Sequence, residues 1–138
     1  MKRVLFLCTG NSCRSQMAEV LLNHLGKGRY EGVSAGAKPS GYVHTLTIRT
    51  LKEAGLSTEG LRSKSWDEFK DRPIDVVITV CDNAKKSCPV WPGRPTYIHW
   101  SLENPTEAKG SDEEKMKMFR RIFSEIQQCI KSFLAGAK

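Results

Sequence analysis

Residues 4–8, Val-Leu-Phe-Leu-Cys, are a continuous apolar run that stops on the turn Thr9-Gly10-Asn11-Ser12 and gives way at once to a helical pattern. A short, unbroken apolar run reads as a strand buried on both faces, the kind found in parallel sheets. Beyond the turn, Met17, Leu21 and Leu25 recur at helical spacing with Ala18 and Leu22 beside them, which predicts a helix from Ser15 to Leu25 stopped by Gly26 and Gly28. A strand, a tight turn and a helix in that order form the first part of a βαβ unit, and such a unit requires a second parallel strand to pair with the first.

The rest of the chain repeats the alternation. Tyr30 to Ser34 is a second strand, closed by Ala35-Gly36, and Val43, Leu46, Thr47, Thr50, Leu51 and Ala54 trace a second helical face ended by Gly55. A polar stretch from 57 to 72 holds a short helix around Trp66–Phe69. Asp75 to Val80 is a strand that runs into Cys81. Residues 82 to 95 read as loop from Asp82, Asn83, Pro89, Pro92, Gly93 and Pro95. Thr96 to Trp100 is a fourth strand, and Asn104-Pro105 opens a turn. The last helix starts at a capping box, Ser111 with Glu114, and carries Met116, Phe119, Phe123, Ile126, Ile130 and Phe133 as its apolar stripe. The expected fold is α/β, a three-layer sandwich with a central four-stranded parallel sheet. Ligands bind such sheets outside the carboxyl ends of the strands, where Cys8 and Cys81 both fall.

At 138 residues a single domain spanning 1–138 is expected, with enough chain to bury a core. The apolar run at the N-terminus is too short for a signal peptide or a membrane span, so the expected location is the cytoplasm. Five cysteines, at 8, 13, 81, 88 and 129, are an odd number, which in a reducing compartment argues for thiols over a disulfide framework. The net charge of +7 is spread along the chain. Its densest group, Lys115, Lys117, Arg120 and Arg121, has the spacing of a solvated helix face, and no nucleic-acid-binding motif accompanies it.

The chemistry concentrates in Cys8-Thr9-Gly10-Asn11-Ser12-Cys13-Arg14-Ser15. A turn between a strand and a helix can curl its backbone N–H groups around a tetrahedral oxyanion, with the helix N-terminus adding positive potential. Thr9, Gly10, Asn11, Ser12 and Cys13 are the candidate cradle, and Gly10 is expected to supply the unusual backbone angles. Arg14 can grip two oxygens of the anion. The same field favours the thiolate of Cys8 as a nucleophile, with Ser15 placed to donate a hydrogen bond to it. Cys13 and Cys129 read as core residues, Cys129 beside Ile126 and Ile130 on the last helix.

This loop resembles that of the low-molecular-weight protein tyrosine phosphatases and of the thioredoxin-coupled arsenate reductases that share their fold. Residues 8–19, Cys-Thr-Gly-Asn-Ser-Cys-Arg-Ser-Gln-Met-Ala-Glu, are similar to the reductase form almost residue for residue. Ser34-Ala35-Gly36, His99-Trp100-Ser101 and Asn104-Pro105 resemble later family features, so the likeness covers essentially the whole chain. The pair Cys81 and Cys88 favours the reductase branch, since a phosphatase needs one cysteine and a reductase must deliver two electrons. The resemblance implies reduction of arsenate to arsenite: Cys8 attacks arsenate held by Arg14, Cys81 attacks Cys8, and Cys88 attacks Cys81. The resulting Cys81–Cys88 disulfide is reduced by thioredoxin, or by glutaredoxin with glutathione. A monomer without a resident cofactor or metal is expected.

Two positions depart from the pattern. The family usually carries aspartate where Asn104 stands, and that aspartate is the general acid on the leaving oxygen. Asparagine cannot transfer a proton, so weak phosphatase activity is expected, with adjacent Glu103 as a possible substitute acid. Some family members hold potassium behind the loop. Asn11, Glu19 and Ser34 match three of its ligands, and Lys64 falls where an acidic fourth is expected, so a lysine charge would replace the ion. Three readings remain open: the reductase, a phosphatase of weak activity, and a redox or oxyanion sensor without turnover. A zinc site on Cys81 and Cys88 is disfavoured, because His24, His44 and His99 sit at no ligand spacing.

Overall fold

The computed structural model describes residues 1–81, 84, 86, 88 and 91–136. Four parallel strands, β1 (Lys2–Cys8), β2 (Tyr30–Gly36), β3 (Val76–Thr79) and β4 (Thr96–His99), form one sheet in the order β2-β1-β3-β4. The central strand is apolar for the reason its sequence indicates. Val4, Leu5, Phe6 and Leu7 are fully buried although neighbouring side chains point to opposite faces, so both faces of the sheet are covered. The register sets Leu7 opposite both Ala35 and Thr79, and the sheet therefore ends along one rim at Cys8, Gly36 and Val80.

Three longer helices accompany the sheet: α1 (Arg14–Leu25), α2 (Thr45–Glu53) and α3 (Asp112–Leu134). The β1-α1-β2 crossover steps one way across the sheet and the β2-to-β3 connection steps back the other way. Right-handed crossovers in opposite directions lie on opposite faces. Helix α1 therefore covers one face, where α3 returns to pack against it. Buried Phe69, Ile74, Ala84 and Trp91 come from the segments that enter and leave β3. Helix α2 docks on the first half of α3: Thr50 Oγ1 lies 3.7 Å from Met116 Sδ, and Arg120 pairs with Glu53. The capping box starts α3 as expected, with the Ser111 and Glu114 side chains exchanging hydrogen bonds with each other's backbone.

Three expectations change. Ala84 and Lys86 have helical backbone where composition indicated loop; both are good helix formers, and the prolines that bias the stretch come later. Asp82, Asn83 and Pro89 lie outside the described residues. Trp91, inside that same stretch, is a core residue whose Nε1 donates to Phe69 O at 2.8 Å. On α3 the buried stripe runs through Ile122, with Phe123 and Phe133 only half-buried, and Cys129 is half-buried at the edge of the stripe. Among the described residues no helix is long and apolar enough to cross a membrane.

Candidate active site

The loop between β1 and α1 is held open by its carbonyls. Cys8 O accepts from Ala37 N, Thr9 O from Lys38 N, and Gly10 O from both Ser40 N and Ser63 Oγ. Asn11 O accepts from Gln16 Nε2, Ser12 O from His44 N and Thr47 Oγ1, and Cys13 O from Met17 N. Six consecutive carbonyls are thus tied to groups outside the loop. A peptide unit that turns its C=O away presents its N–H on the other side, so the loop amides face the concavity, which is the requirement for an anion nest. Ser40, His44, Thr47, Ser63 and Gln16 are the residues that sequence reasoning missed here. They come from separate segments, and only the folded chain brings them to the loop.

Asn11, not Gly10, makes the sharp turn. Its φ of 51° is left-handed, a conformation asparagine tolerates better than most side chains. Gly10 is not in that region, and a Cβ there would meet only ordinary contacts at 3.8 Å or more. The glycine that the loop cannot replace is Gly36, where a Cβ would lie 2.5 Å from Thr9 O. Asn11 is fully buried, with Nδ2 donating to Ser15 Oγ at 2.8 Å and to Ser34 Oγ at 3.0 Å, and Oδ1 accepting from Lys64 N at 3.0 Å.

These bonds set the direction of the next one. Ser15 Oγ already accepts from Asn11, so its own hydrogen is free to point at Cys8 Sγ, 2.8 Å away. Asn11 N donates to the same sulfur at 3.2 Å. Two donors are thus aimed at one sulfur. Arg14, at the start of α1, is 9% exposed and is anchored by Nη1 on Leu102 O at 3.0 Å. Cys13 is also buried, and burial pushes its thiol up to about 12, against opposing hydrogen bonding from Thr47. It forms part of the wall as a neutral group.

A cleft of about 450 Å³ opens at this rim, lined by Cys8, Thr9, Gly10, Ser12, Cys13 and Arg14 from the loop and by Cys81 from the end of β3. Leu102, Asn104, Thr106 and Glu107 close its far side. Cys81 Sγ lies 3.3 Å from Thr9 Oγ1 and accepts from Ala84 N at 3.4 Å. All five cysteines are thiols. Cys88 is not in the cleft wall; it is half-buried against the core, and burial raises its thiol. Asn104 lines the cleft but spends its carbonyl oxygen on Thr106 N (3.1 Å) and Thr106 Oγ1 (2.7 Å), capping the short turn Pro105–Glu107. Glu103 points elsewhere: its carboxylate pairs with Arg121 at 2.9 Å on the surface.

Behind the loop, the residues present do not fit a potassium ion. The Lys64 side chain is 9% exposed and places Nζ 3.8 Å from Glu19 Oε1. Ser34 Oγ donates to that same carboxylate oxygen at 2.7 Å, and Asn11 presents donor hydrogens to Ser34 and Ser15. A cation needs oxygen lone pairs at these positions, and they are already committed. Burial pushes the Glu19 carboxyl up and the Lys64 ammonium down, each countered by the charge of the other. Among the described residues no cluster of His, Cys, Asp or Glu could hold a metal ion.

A strand-end cysteine and a helix-start arginine bracketing an amide-lined loop define a phosphatase-type oxyanion site. The chain belongs to the low molecular weight phosphotyrosine protein phosphatase family, whose profile matches residues 3–138. Its relatives include an arsenate reductase from Halalkalibacterium halodurans, 37% identical over 99% of this chain and 98% of that protein. A glutaredoxin arsenate reductase from Synechocystis is 32% identical over 98% of each chain. Among solved structures, an arsenate reductase in the phosphate binding state superimposes with a TM-score of 0.83 at 31% identity, covering 100% of both chains. A thioredoxin-dependent arsenate reductase from Corynebacterium glutamicum gives 0.65 at 30% identity, over 95% of this chain and 62% of that one.

Proposed function

We propose that this protein reduces arsenate to arsenite through a thiol–disulfide cascade. The observation that carries this reading is Cys81, a second sulfur that lines the oxyanion cleft and lies hydrogen-bonded to the loop itself. Ester hydrolysis needs one nucleophile and has no use for a thiol in that place. A two-electron reduction does.

In the first step the Cys8 thiolate attacks arsenic while Arg14 and the loop amides bind the oxygens. An S–As bond forms and one oxygen leaves as water; arsenic is still As(V). Cys81, as thiolate, then attacks Cys8 Sγ. The S–As electron pair passes to arsenic, which leaves as arsenite, and a Cys8–Cys81 disulfide remains. Cys88 attacks Cys81 Sγ, freeing Cys8 and moving the disulfide to Cys81–Cys88. Burial pushes the thiol of half-buried Cys88 up from its ordinary value. Cys88 does not line the cleft, so this last exchange requires it to approach Cys81.

The external reductant is a dithiol of the thioredoxin class. The Corynebacterium relative supports that choice, and the glutaredoxin arsenate reductase of Synechocystis supports the glutathione-linked alternative. Lys64 supplies the positive charge behind the loop that an ion would otherwise supply. The protein works as a cytoplasmic monomer.

The test is a coupled assay with arsenate, thioredoxin, thioredoxin reductase and NADPH, repeated with glutaredoxin, glutathione and glutathione reductase. The expected result is NADPH loss that is abolished by Cys8→Ser, Cys81→Ser or Cys88→Ser. Hydrolysis of an aryl phosphate that survives Cys88→Ser, without arsenate turnover, identifies a phosphatase instead. Neither activity identifies a sensor.

A further inference from the structure

The family-type general acid is missing at position 104, and the structure shows what stands near its place. Asn104 cannot donate a proton that it would regain as a general acid does, and its oxygen is held by Thr106. Glu103, the nearest carboxylate in sequence, is turned out to Arg121. Glu107 is different. It belongs to the short turn Pro105–Glu107, and its N–H donates to Asn104 O at 3.2 Å. That bond brings residue 107 back beside residue 104 at the cleft. Both line that cleft with Cys8 and Arg14, and Glu107 is the only carboxylate among the described residues that do so. Among the described residues it makes no ion pair. Its side chain is exposed at the cleft mouth, where water can return a proton after each turnover.

We infer that Glu107 is the proton donor for the oxygen that leaves when Cys8 attacks. This rests on the reading of the site as one that reduces arsenate, and it adds a catalytic residue to that reaction. As the Cys8 Sγ–As bond forms, the As–O bond opposite breaks. The carboxylic acid of Glu107 gives its proton to the departing oxygen, which leaves as water, and Glu107 becomes carboxylate. No electrons are exchanged in this step, since reduction belongs to Cys81. On an aryl phosphate the same proton goes to the phenolic oxygen.

The experiment compares wild type with Glu107→Gln, Glu107→Asp and the double variant Glu107→Gln/Asn104→Asp. Two rates are measured: single-turnover formation of arsenite, and hydrolysis of aryl phosphates from phenyl phosphate to dinitrophenyl phosphate. A general acid matters most for leaving groups that are strong bases. Glu107→Gln is expected to slow phenyl phosphate by about 100-fold, dinitrophenyl phosphate far less, and arsenite formation by at least about tenfold. Glu107→Asp is expected to keep part of the activity, and Asn104→Asp to rescue the Gln variant. Aspartate can accept the two Thr106 hydrogen bonds that asparagine accepts, so this rescue leaves the turn intact. An unchanged urea midpoint for Glu107→Gln excludes unfolding as the cause.

If wild type forms arsenite and Glu107→Gln forms it equally fast, with the same dependence on leaving group, the assignment is wrong and the reductase reading stands. If wild type forms no arsenite but Glu107→Gln steepens the leaving-group dependence, the reductase reading is wrong and Glu107 remains the acid. If wild type acts on neither substrate, both are overturned.

Discussion

Thr9 Oγ1 and Cys81 Sγ lie 3.3 Å apart across the gap between the ends of β1 and β3. This contact ties the second thiol to the anion loop, because the two strands are neighbours in register and both end at the same rim. The Thr9 hydroxyl can donate to Cys81 once that sulfur ionises. Thr9→Val keeps the shape and removes the donor. A hydrogen bond to a charged group contributes about 1.5 kcal/mol, or about tenfold in rate. Formation of the Cys8–Cys81 disulfide, followed by quenched-flow alkylation, should slow by that factor while phosphate affinity stays unchanged.

Asn11 combines a left-handed backbone with three side-chain hydrogen bonds, to Ser15, Ser34 and Lys64. Asn11→Ala loses the bonds and leaves a residue with a Cβ at φ 51°. The expected cost is about 3 kcal/mol in urea unfolding. Asn11→Gly should be less damaging by about 1 kcal/mol, because it removes the backbone penalty alone.

Gly36 lies against the loop from β2. The Cβ of Gly36→Ala would fall 2.5 Å from Thr9 O, which is itself fixed by Lys38 N, so the strand or the loop must move. Overpacking of this kind costs about 1–3 kcal/mol. The more telling effect should be on phosphate binding measured by calorimetry, which is expected to weaken by about tenfold or more as the amides lose their alignment.

The expected pH dependence centres on His44. Its Nδ1 accepts from Leu46 N at 3.0 Å to cap α2, and its backbone N–H donates to Ser12 O. Burial pushes its imidazole below the ordinary 6.5, helped by Lys115 and opposed by Asp112. A base with a lowered folded-state value binds fewer protons folded than unfolded. Its contribution is therefore intact above 6.5 and is lost as the pH falls through 6.5 toward the folded value. Thermal midpoints should drop across that interval, and His44→Asn, which also caps but does not titrate, should remove this part of the drop.

Much of this was legible in the sequence, for local reasons. The run Val4–Leu7 reads as a buried strand, and Cys8, Arg14 and the start of α1 follow it within one turn, so the anion loop declared itself. The parallel order followed from strands and helices in alternation. What stayed hidden depends on contacts between distant segments. Sequence pattern gave the unusual backbone angles to Gly10, whereas the left-handed turn falls at Asn11 in a loop tied by Ser40, Ser63 and His44. Trp91 sits among prolines and glycines, and only the folded chain buries it in the core, with its indole donating to Phe69 O. The sequence offered only Glu103 as a substitute acid, whereas the fold pairs Glu103 with Arg121 and sets Glu107 in the cleft wall.

The most direct test of the central claim, that sulfurs 8, 81 and 88 pass one electron pair along a single rim, is disulfide mapping after one turnover. Reduced protein is mixed with excess arsenate without any reductant, quenched with alkylating agent, digested and analysed by mass spectrometry. The account expects a Cys81–Cys88 disulfide in the wild type, a Cys8–Cys81 disulfide in Cys88→Ser, and one arsenite released per disulfide in each. Arsenite release that leaves Cys81 alkylated as a free thiol would contradict it.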